Sequence, residues 1–409
     1  MSHTPDIQVL VGFQTTTGFG NPFQLDNATY GLLNTGTLGG VQYVDLTSMV
    51  QAITITRGRN RELEQFNAGT ASVRFRDPTR LLDPLNASSP YYPFLGPRNP
   101  VSVYADGTEI FCGVVSDWNL DYGISAQDNI VTARCSDSFT VLANQSMNEW
   151  TPTAQLTGAR VSAVLARPEI IYQGAVSVDA GSSTLGAYVV AAGTNVLQYL
   201  QLVTASEQGY LFVSGDGTLV FKGRAASLNP SPTIEFKDDG TGVRYQTLTN
   251  SYGDELLYNY IQTQSPAGAV QTTSDATSVA LYQAQQFSKL DLLNSTTDEV
   301  AALGNYLLGR YKTPQLRFTG VQIELAALDA TDQAAVLGTD LTDIASVTKS
   351  FVSGSPASVT QTLITTGVSH EIRPGNHVVR FTFESTDGNA YMTLDNDIFG
   401  TLDNNLLAF

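Results

Sequence analysis

Short stretches in which apolar and polar residues alternate, separated by turn residues, recur along most of this 409-residue chain. In the clearest example, residues 101–105 alternate, Asp106 and Gly107 follow, and a second run occupies residues 108–111. Asp-Gly adopts the positive φ angles of the two-residue turn that joins antiparallel strands. The pattern therefore restricts the chain to a mainly β fold in which many strands are connected by hairpins.

Three further segments fit the same interpretation. Residues 210–213 and 219–221 form a second predicted hairpin, and residues 71–75 alternate as a half-buried strand would. Near the C-terminus, three apolar residues share one face of a predicted strand and three polar residues share the other: Val379, Phe381 and Phe383 against Arg380, Thr382 and Glu384.

Helices are few. Asn195 is a predicted N-cap with Gly209 as the stop, and Thr296 opens a capping box with Glu299 for a helix that ends before Pro314. A shorter helix ends near Pro168. The Ser/Thr/Gln-rich segments 262–280 and 353–361 are predicted to be exposed loops. The residues alone therefore predict two β-rich units with helical material between or within them.

Charge excludes some classes of partner. Lys and Arg total 21 against 38 Asp and Glu, giving −17, so neither a grip on nucleic-acid phosphates nor docking on anionic lipid is expected, although a local basic patch stays open. No apolar run could span a membrane and no signal peptide is present. Cys112 and Cys135 are interpreted as reduced strand residues, with one disulfide as the alternative. The chain is expected to fold in a cytoplasm.

The sequence contains the residue types that catalysis needs but not their usual arrangements. His370 and His377 flank a turn and could approach each other across a hairpin, yet the sequence has no HExxH or CxxC pattern. A Gly-x-Ser-x-Gly elbow is also missing. Asp395, Asn396 and Asp397 resemble the start of a calcium loop without its glycine and distal glutamate. We therefore expect a non-enzymatic protein with no cofactor and no metal.

An ordered series of motifs spans most of the chain: ITITRGR at 53–59, FNAGT at 66–70, DPLN at 83–86, LLGRYKTP at 307–314 and FGTLD at 399–403. This series resembles minor tail proteins of long-tailed actinobacterial bacteriophages, and in particular their baseplate hub, or tail-tip, proteins. The resemblance marks nine structural motif residues: Arg57, Gly58, Arg59, Phe66, Gly69, Asp83, Pro84, Leu402 and Asp403.

The resemblance implies two β-barrel-like domains with smaller inserted α/β domains. It places the first β-barrel-like domain at residues 1–145 and an α/β domain with helices and a β-hairpin at 146–235. The second β-barrel-like domain then covers 236–409, with a helical insertion near 296–313. The chain reaches the family's tail motif at its end, so no appended lytic domain is expected.

The resemblance also implies a function. The chain would be a structural subunit of the virion tail tip, assembled in the host cytoplasm, that forms a homotrimer between the six-fold tail tube and the three-fold tip. It would line part of the DNA ejection channel, with DNA present only in transit and no membrane insertion. Its other partners would be the distal-tail, tail-tube, tape-measure and other minor tail proteins.

Other functions stay open. A distal-tail ring protein would share the barrels but be hexameric. A cell-wall carbohydrate-binding tail protein is suggested by Trp118, Tyr122 and Trp150, which lie near acidic residues in the sequence. A wall-degrading enzyme is the remaining alternative.

Overall fold

The first seven strands form one half of a large antiparallel sheet. The computed structural model describes residues 3–15, 40–59, 61–224 and 231–386. The strands are β1 (Ile7–Thr15), β2 (Gly40–Asp45), β3 (Val50–Gly58), β4 (Asn67–Arg76), β5 (Pro100–Ala105), β6 (Thr108–Asp121) and β7 (Ile130–Ser136). They lie in the order β2-β1-β5-β6-β7-β4-β3.

The predicted hairpin between β5 and β6 is confirmed. Asp106 has φ +46° and Gly107 has φ +79°, and Ala105 pairs with Thr108 across the two-residue turn. In β4, Ala71, Val73 and Phe75 are buried as the alternation predicts. Cys112 and Cys135 are free thiols in β6 and β7. The local pattern therefore places these strands correctly.

A mixed α/β segment follows. Its elements are α1 (Phe139–Ala143), β8 (Ser146–Met147), β9 (Gln155–Leu156), α2 (Thr157–Leu165), β10 (Val176–Val178), β11 (Thr184–Leu185), β12 (Thr194–Asn195), α3 (Val196–Glu207), β13 (Tyr210–Val213) and β14 (Leu219–Lys222). The Asn195 side chain accepts a hydrogen bond from the Gln198 amide, as an N-cap does. Gln208, with φ +62°, ends α3 one residue before the predicted stop at Gly209. The hairpin of β13 and β14 is confirmed.

A second α/β segment has a small core of its own. It contains β15 (Ile234–Lys237), β16 (Thr247–Ser251), β17 (Tyr260–Thr263), β18 (Gln271–Ser274), α4 (Ala276–Tyr282), β19 (Gln286–Lys289) and α5 (Thr297–Tyr311). Strands β17 to β19 form a sheet on which α5 packs, burying Ile261, Leu303 and Leu307. Thr296 caps α5 by accepting from the Glu299 amide, as predicted.

The loop predicted at 262–280 is wrong. Gln271–Ser274 pairs with β17, and Asp275 caps α4 by accepting from the Ser278 amide. The strand is polar, and both elements are short, so they carry little periodicity that a single sequence could reveal. The loop predicted at 353–361 is wrong from Ser358 onward, where a long strand begins.

The last strands complete the sheet. They are β20 (Arg317–Glu324), β21 (Ile344–Ser350), β22 (Ser358–Arg373) and β23 (Asn376–Ser385), with α6 (Ala330–Gly338) between β20 and β21. As far as the chain is described, the sheet has 13 strands: the seven of the first half, these four, and β15 and β16, which pair with β21 and β20. The pairing of β22 with β3 joins the two halves. The first part of β22 pairs with β21, and its last part pairs with β3 from Gly58–Gly367 to Ile53–Ile372. We call this β3–β22 contact the seam.

The protein is mainly β, as predicted, with large antiparallel sheets. Among the described residues the main line of strand pairing runs from β16 to β2, and β21 branches from β22 to pair with β15; these pairings trace no closed barrel. One apolar core runs beneath both halves and the first α/β segment.

The domain boundaries at 145 and 235 stay predictions. Within residues 3–15, 40–59, 61–224 and 231–386, no helix is long and apolar enough to cross a membrane.

Candidate functional site at the seam

The end of β3 approaches β22 very closely. Gly58 has φ +107°, and a Cβ placed there would lie 2.2 Å from the Thr366 carbonyl oxygen. The Arg59 amide donates to that oxygen at 2.8 Å. The β22–β23 register shifts between Thr365 and Gly367, where β22 passes from β21 to β3. Glycine is needed here both for its positive φ and for the absence of a side chain.

Arg57 ties the seam to the first α/β segment. Its Nη1 lies 2.6 Å from Asp340 Oδ1, and Asp340 Oδ2 accepts from the Gly215 amide at 2.8 Å, in the β13–β14 turn. The Arg57 side chain crosses Gly69, where a Cβ would meet Arg57 Cγ at 3.0 Å. The Gly69 amide donates to Asp137 Oδ2 at 2.5 Å. Gly69 therefore gives both side chains the space to pack.

Burial raises the pKa of Asp137 to about 6, although amide hydrogen bonds from Gly69 and Phe139 and the charge of Arg57 act in the opposite direction. Desolvation dominates because this carboxylate is 2% exposed and has only amides and one guanidinium to replace its water.

The Arg59 side chain is buried behind the seam, away from solvent. Its guanidinium pairs with Glu384 of β23 and lies 4.9 Å from the ring centre of Phe66 and 5.6 Å from that of Tyr210. The second Glu384 oxygen accepts from the Tyr210 hydroxyl at 2.9 Å. One carboxylate thus joins β3, β13 and β23.

A second carboxylate, Glu62, extends this contact to the second α/β segment. Glu62 Oε1 accepts from Arg310 Nη2 at 2.7 Å and from the Tyr311 hydroxyl at 2.7 Å, both on α5. Arg317 Nε of β20 lies 3.8 Å from Glu62 Oε2, and Arg310 Nη2 lies 3.4 Å from Glu384 Oε1. We call Arg59, Glu62, Arg310, Arg317 and Glu384 the ionic cluster.

Every charged side chain of the ionic cluster is less than a tenth exposed. Burial acts to raise the pKa of Glu384, but Arg59, Arg310 and the Tyr210 hydroxyl together hold it below its usual value. Burial also raises the pKa of the Tyr311 hydroxyl well above its usual value. Glu384 therefore stays ionised and the tyrosine stays neutral, so the cluster fixes the orientation of the elements it joins.

The structure brings five of the predicted motif residues together at the seam, where the Arg59 guanidinium stacks on Phe66 and the Arg57 side chain crosses Gly69: Arg57, Gly58, Arg59, Phe66 and Gly69. Asp83 belongs to a separate turn, where it accepts from Arg80 Nε at 2.7 Å and the Tyr122 hydroxyl at 2.9 Å. Pro84 is exposed beside it. Leu402, Asp403 and the calcium-like run 395–397 lie outside the described residues.

Sequence reasoning missed four of the five members of the cluster, and one of them, Arg317 of β20, lies outside every motif. Glu384 follows the alternation of its strand onto the polar face, which gave no sign that Arg59 and Arg310 cover it. Arg310 lies within the LLGRYKTP motif without an assigned role. Glu62 follows the ITITRGR motif closely, and its position in a turn gave no sign of burial.

Other candidate residues serve the chain's own packing. His370 Nδ1 and His377 Nε2 lie 3.0 Å apart, so the predicted approach across the hairpin is confirmed. Among the described residues, no group of three or more His, Cys, Asp and Glu side chains is placed to hold a metal ion. Trp118 Nε1 donates to the Gly96 carbonyl, and Trp150 packs 4.8 Å from the Arg167 guanidinium.

No family model matches the sequence, and no curated protein matches it. Two solved structures share the fold. The tail protein from Neisseria meningitidis MC58 is 12% identical with a TM-score of 0.59, over 94% of this chain and 98% of that one. The 43 kDa tail protein of prophage MuSo2 from Shewanella oneidensis is 13% identical with a TM-score of 0.55, over the same shares. The likeness therefore covers nearly the whole of each chain.

Proposed function

We propose that this protein is a structural subunit of a bacteriophage tail, and more narrowly a baseplate hub subunit at the tail tip. The observation that carries the proposal is the fold shared with two tail proteins across 94% of this chain. A likeness that includes both halves of the sheet and both α/β segments supports a common role better than a match to one domain would.

The ionic cluster suits such a role. It contains no nucleophile with an adjacent base, and its charges are paired with opposite charges. Buried ion pairs contribute orientation more readily than net stability, since the cost of desolvation offsets the attraction. A tail subunit must hold the two halves of its sheet at a fixed angle in order to contact its neighbours. The ionic cluster sets that angle.

One face of the sheet is suited to line the channel of a homotrimer. Opposite the core, a row of paired residues crosses the seam without a covering helix: Asp117, Arg134, Ser72, Thr54 and Glu371. A second row, of hydroxyls, one amide and one guanidinium, runs beside it: Thr70, Thr56, Ser369, Arg380 and Gln322. Charges of both signs and many hydroxyls would let DNA pass, whereas a basic wall would bind its phosphates.

The position in the particle can be tested by counting copies. In purified tails, quantitative mass spectrometry should find three copies of this chain for each six-subunit ring of the tube. Six copies would support the distal-tail ring instead, and absence from the particle would overturn the structural role. The distal-tail, tube and tape-measure proteins should co-purify with it, because a hub lies between them.

The channel wall has a separate test. Lysines introduced at Thr54, Thr56 and Ser369 should leave particles assembled but slow DNA ejection, because they add positive charge to the wall. Thr241→Lys, in an exposed turn away from that face, is the matched control. Normal ejection by the triple variant would show that this face does not meet the DNA.

The alternative of a cell-wall carbohydrate binder has less support. Trp118 and Trp150 are half-buried and engaged with the chain's own groups, as described above. Tyr122 is 52% exposed, but its hydroxyl donates to Asp83 and the Arg80 guanidinium lies 5.9 Å from its ring centre. A sugar-binding aromatic platform requires exposed ring faces.

A further inference from the structure

Two buried imidazoles lie directly behind the seam. His370 of β22 is in register with Ile55 of β3 on one side and with Val379 of β23 on the other. His377 of β23 is opposite Ile372, the last seam residue of β22. The two residues are 3% and 0% exposed, and their facing nitrogens are 3.0 Å apart. This spacing fits one hydrogen bond between two neutral rings.

The second nitrogen of His377, Nδ1, is buried and has no hydrogen-bond partner. No hydrogen bond or ion pair joins either ring to a carboxylate in the part of the chain that the structure describes. A proton added to this pair would therefore have no nearby negative charge to balance it.

The polar groups around the pair, charged and uncharged, come from three directions. From β3, Arg57 disfavours a proton on His370. From the N-terminal segment, whose Thr4 hydroxyl lies 3.4 Å from the Gly375 carbonyl, come His3 and Asp6, which are largely exposed. From α6 comes the uncharged Gln333 amide, which donates to the His3 carbonyl. Water screens the exposed groups, so Arg57 is the charge that acts on the pair.

The seam is also short. It consists of six residue pairs, from Gly58–Gly367 to Ile53–Ile372, and His370 is one of those residues. Backbone pairing of this length is marginal on its own, so its stability depends on what is packed behind it.

We propose that the His370–His377 pair is an acid-sensitive latch that keeps the two halves of the sheet joined while it is neutral and opens the seam when it is protonated. Two imidazolium ions 3.0 Å apart in a buried space repel each other and require water. Separation of β3 from β22 is the movement that admits water, because the pair lies immediately behind that contact.

The direction of the pH effect follows from the burial. Desolvation, then the neighbouring His377 and Arg57, lowers the pKa of His370 well below its usual value, and desolvation lowers the pKa of His377 to about 4. In an open seam both rings would titrate near their usual value of about 6.5. The open form then binds more protons than the closed form, so the closed seam loses stability as the pH falls from about 6.5 toward 4.

Hydrogen exchange of the full chain, read by mass spectrometry at pH 7 and pH 4.5, tests the latch. Protection factors for the seam amides, corrected for intrinsic exchange, should fall by roughly 50- to 100-fold at pH 4.5 from His377 alone. Amides in β5 and β6, remote from the pair in the strand order, should keep their protection.

The His370→Gln/His377→Gln variant removes both titrating rings and should show no seam-specific loss, whereas His3→Gln, at an exposed histidine, should behave as the unmodified chain does. If the double variant does not fold, His377→Gln alone is measured instead. It should reduce the loss of seam protection between pH 7 and pH 4.5 by the contribution of one imidazole ring. Equal seam protection at both pH values in the unmodified chain would overturn the proposal. So would an undiminished loss in the glutamine variants.

Discussion

The interior of the first half-sheet and the ionic cluster are equally buried but are held together differently. Val73, Phe75 and Ile55 are 0% exposed among other apolar side chains, and such packing tolerates many shapes of similar volume. Around Glu384, each partner side chain must occupy one position to place its charge beside the carboxylate. The difference teaches that apolar burial stabilises the sheet, whereas the buried charges determine how its parts are oriented.

The largest effect should come from breaking the cluster. Glu384→Ala leaves Arg59 and Arg310 buried without this carboxylate, and we expect a loss of about 3–5 kcal/mol in the free energy of unfolding. Urea denaturation followed by tryptophan fluorescence measures it. Glu371→Ala, at a half-exposed carboxylate of the same sheet, is the matched control and should cost less than about 1 kcal/mol.

A double variant sharpens the comparison. Arg59→Met with Glu384→Leu removes both members of one pair and should lose less than Glu384→Ala, because no Arg59 charge is left buried. If the double variant lost as much free energy of unfolding as Glu384→Ala, the cluster would be stabilising the fold through the net attraction between its charges.

The close approach at the seam should give the next largest effect. Gly58→Ala combines a positive φ with a Cβ 2.2 Å from a carbonyl oxygen, so we expect a loss of about 3 kcal/mol or more. Gly375→Ala also has a positive φ, +76°, but nothing lies within 4 Å, so its loss should be about 1–2 kcal/mol. Thermal unfolding of both variants distinguishes steric contact from backbone strain, and equal losses would exclude the steric explanation.

A substitution in the apolar interior should have a smaller effect on stability. Ile55→Val removes one methylene from a residue that is 0% exposed, and we expect a loss of about 0.5–1.5 kcal/mol. The midpoint of urea unfolding should move while its slope stays constant. A loss as large as that of Glu384→Ala would contradict the difference between the two regions.

The smallest effect should come from the surface. Lys349 pairs with Asp238 near the end of β21, with the lysine side chain 39% exposed. Lys349→Ala should cost less than about 1 kcal/mol, and the cost should fall further in 1 M salt because water and ions screen the pair. A larger, salt-independent loss would show that this pair behaves like the buried cluster.

Much of the sheet could be predicted from the sequence, because its determinants are local. Asp106-Gly107 specifies its own turn, and Asn195 and Thr296 cap helices whose first residues follow them directly. The polar strand at Gln271–Ser274 could not be predicted, since its hydrogen bonds to β17 hold it rather than an apolar face.

The candidate site could be predicted only in part. The resemblance drew attention to Arg57, Gly58 and Arg59, yet their partners Asp340, Thr366 and Glu384 lie about 300 residues away in the chain. A single sequence contains no signal that pairs residues at such a separation. Alternation placed Glu384 on the polar face of its strand, but alternation reports the face of a strand and not what covers that face.

The seam also affects how the chain is made. Arg59 and its partner Glu384 are separated by 325 positions, so a ribosome adding 5–20 residues per second needs roughly 15 to 60 seconds between them. During that interval the outer edge of β3 has no β22 to pair with, and an unpaired edge is open to other nascent strands. The newly made N-terminal half is therefore expected to depend on a chaperone, or on a low local concentration of its own kind, until β22 has been made.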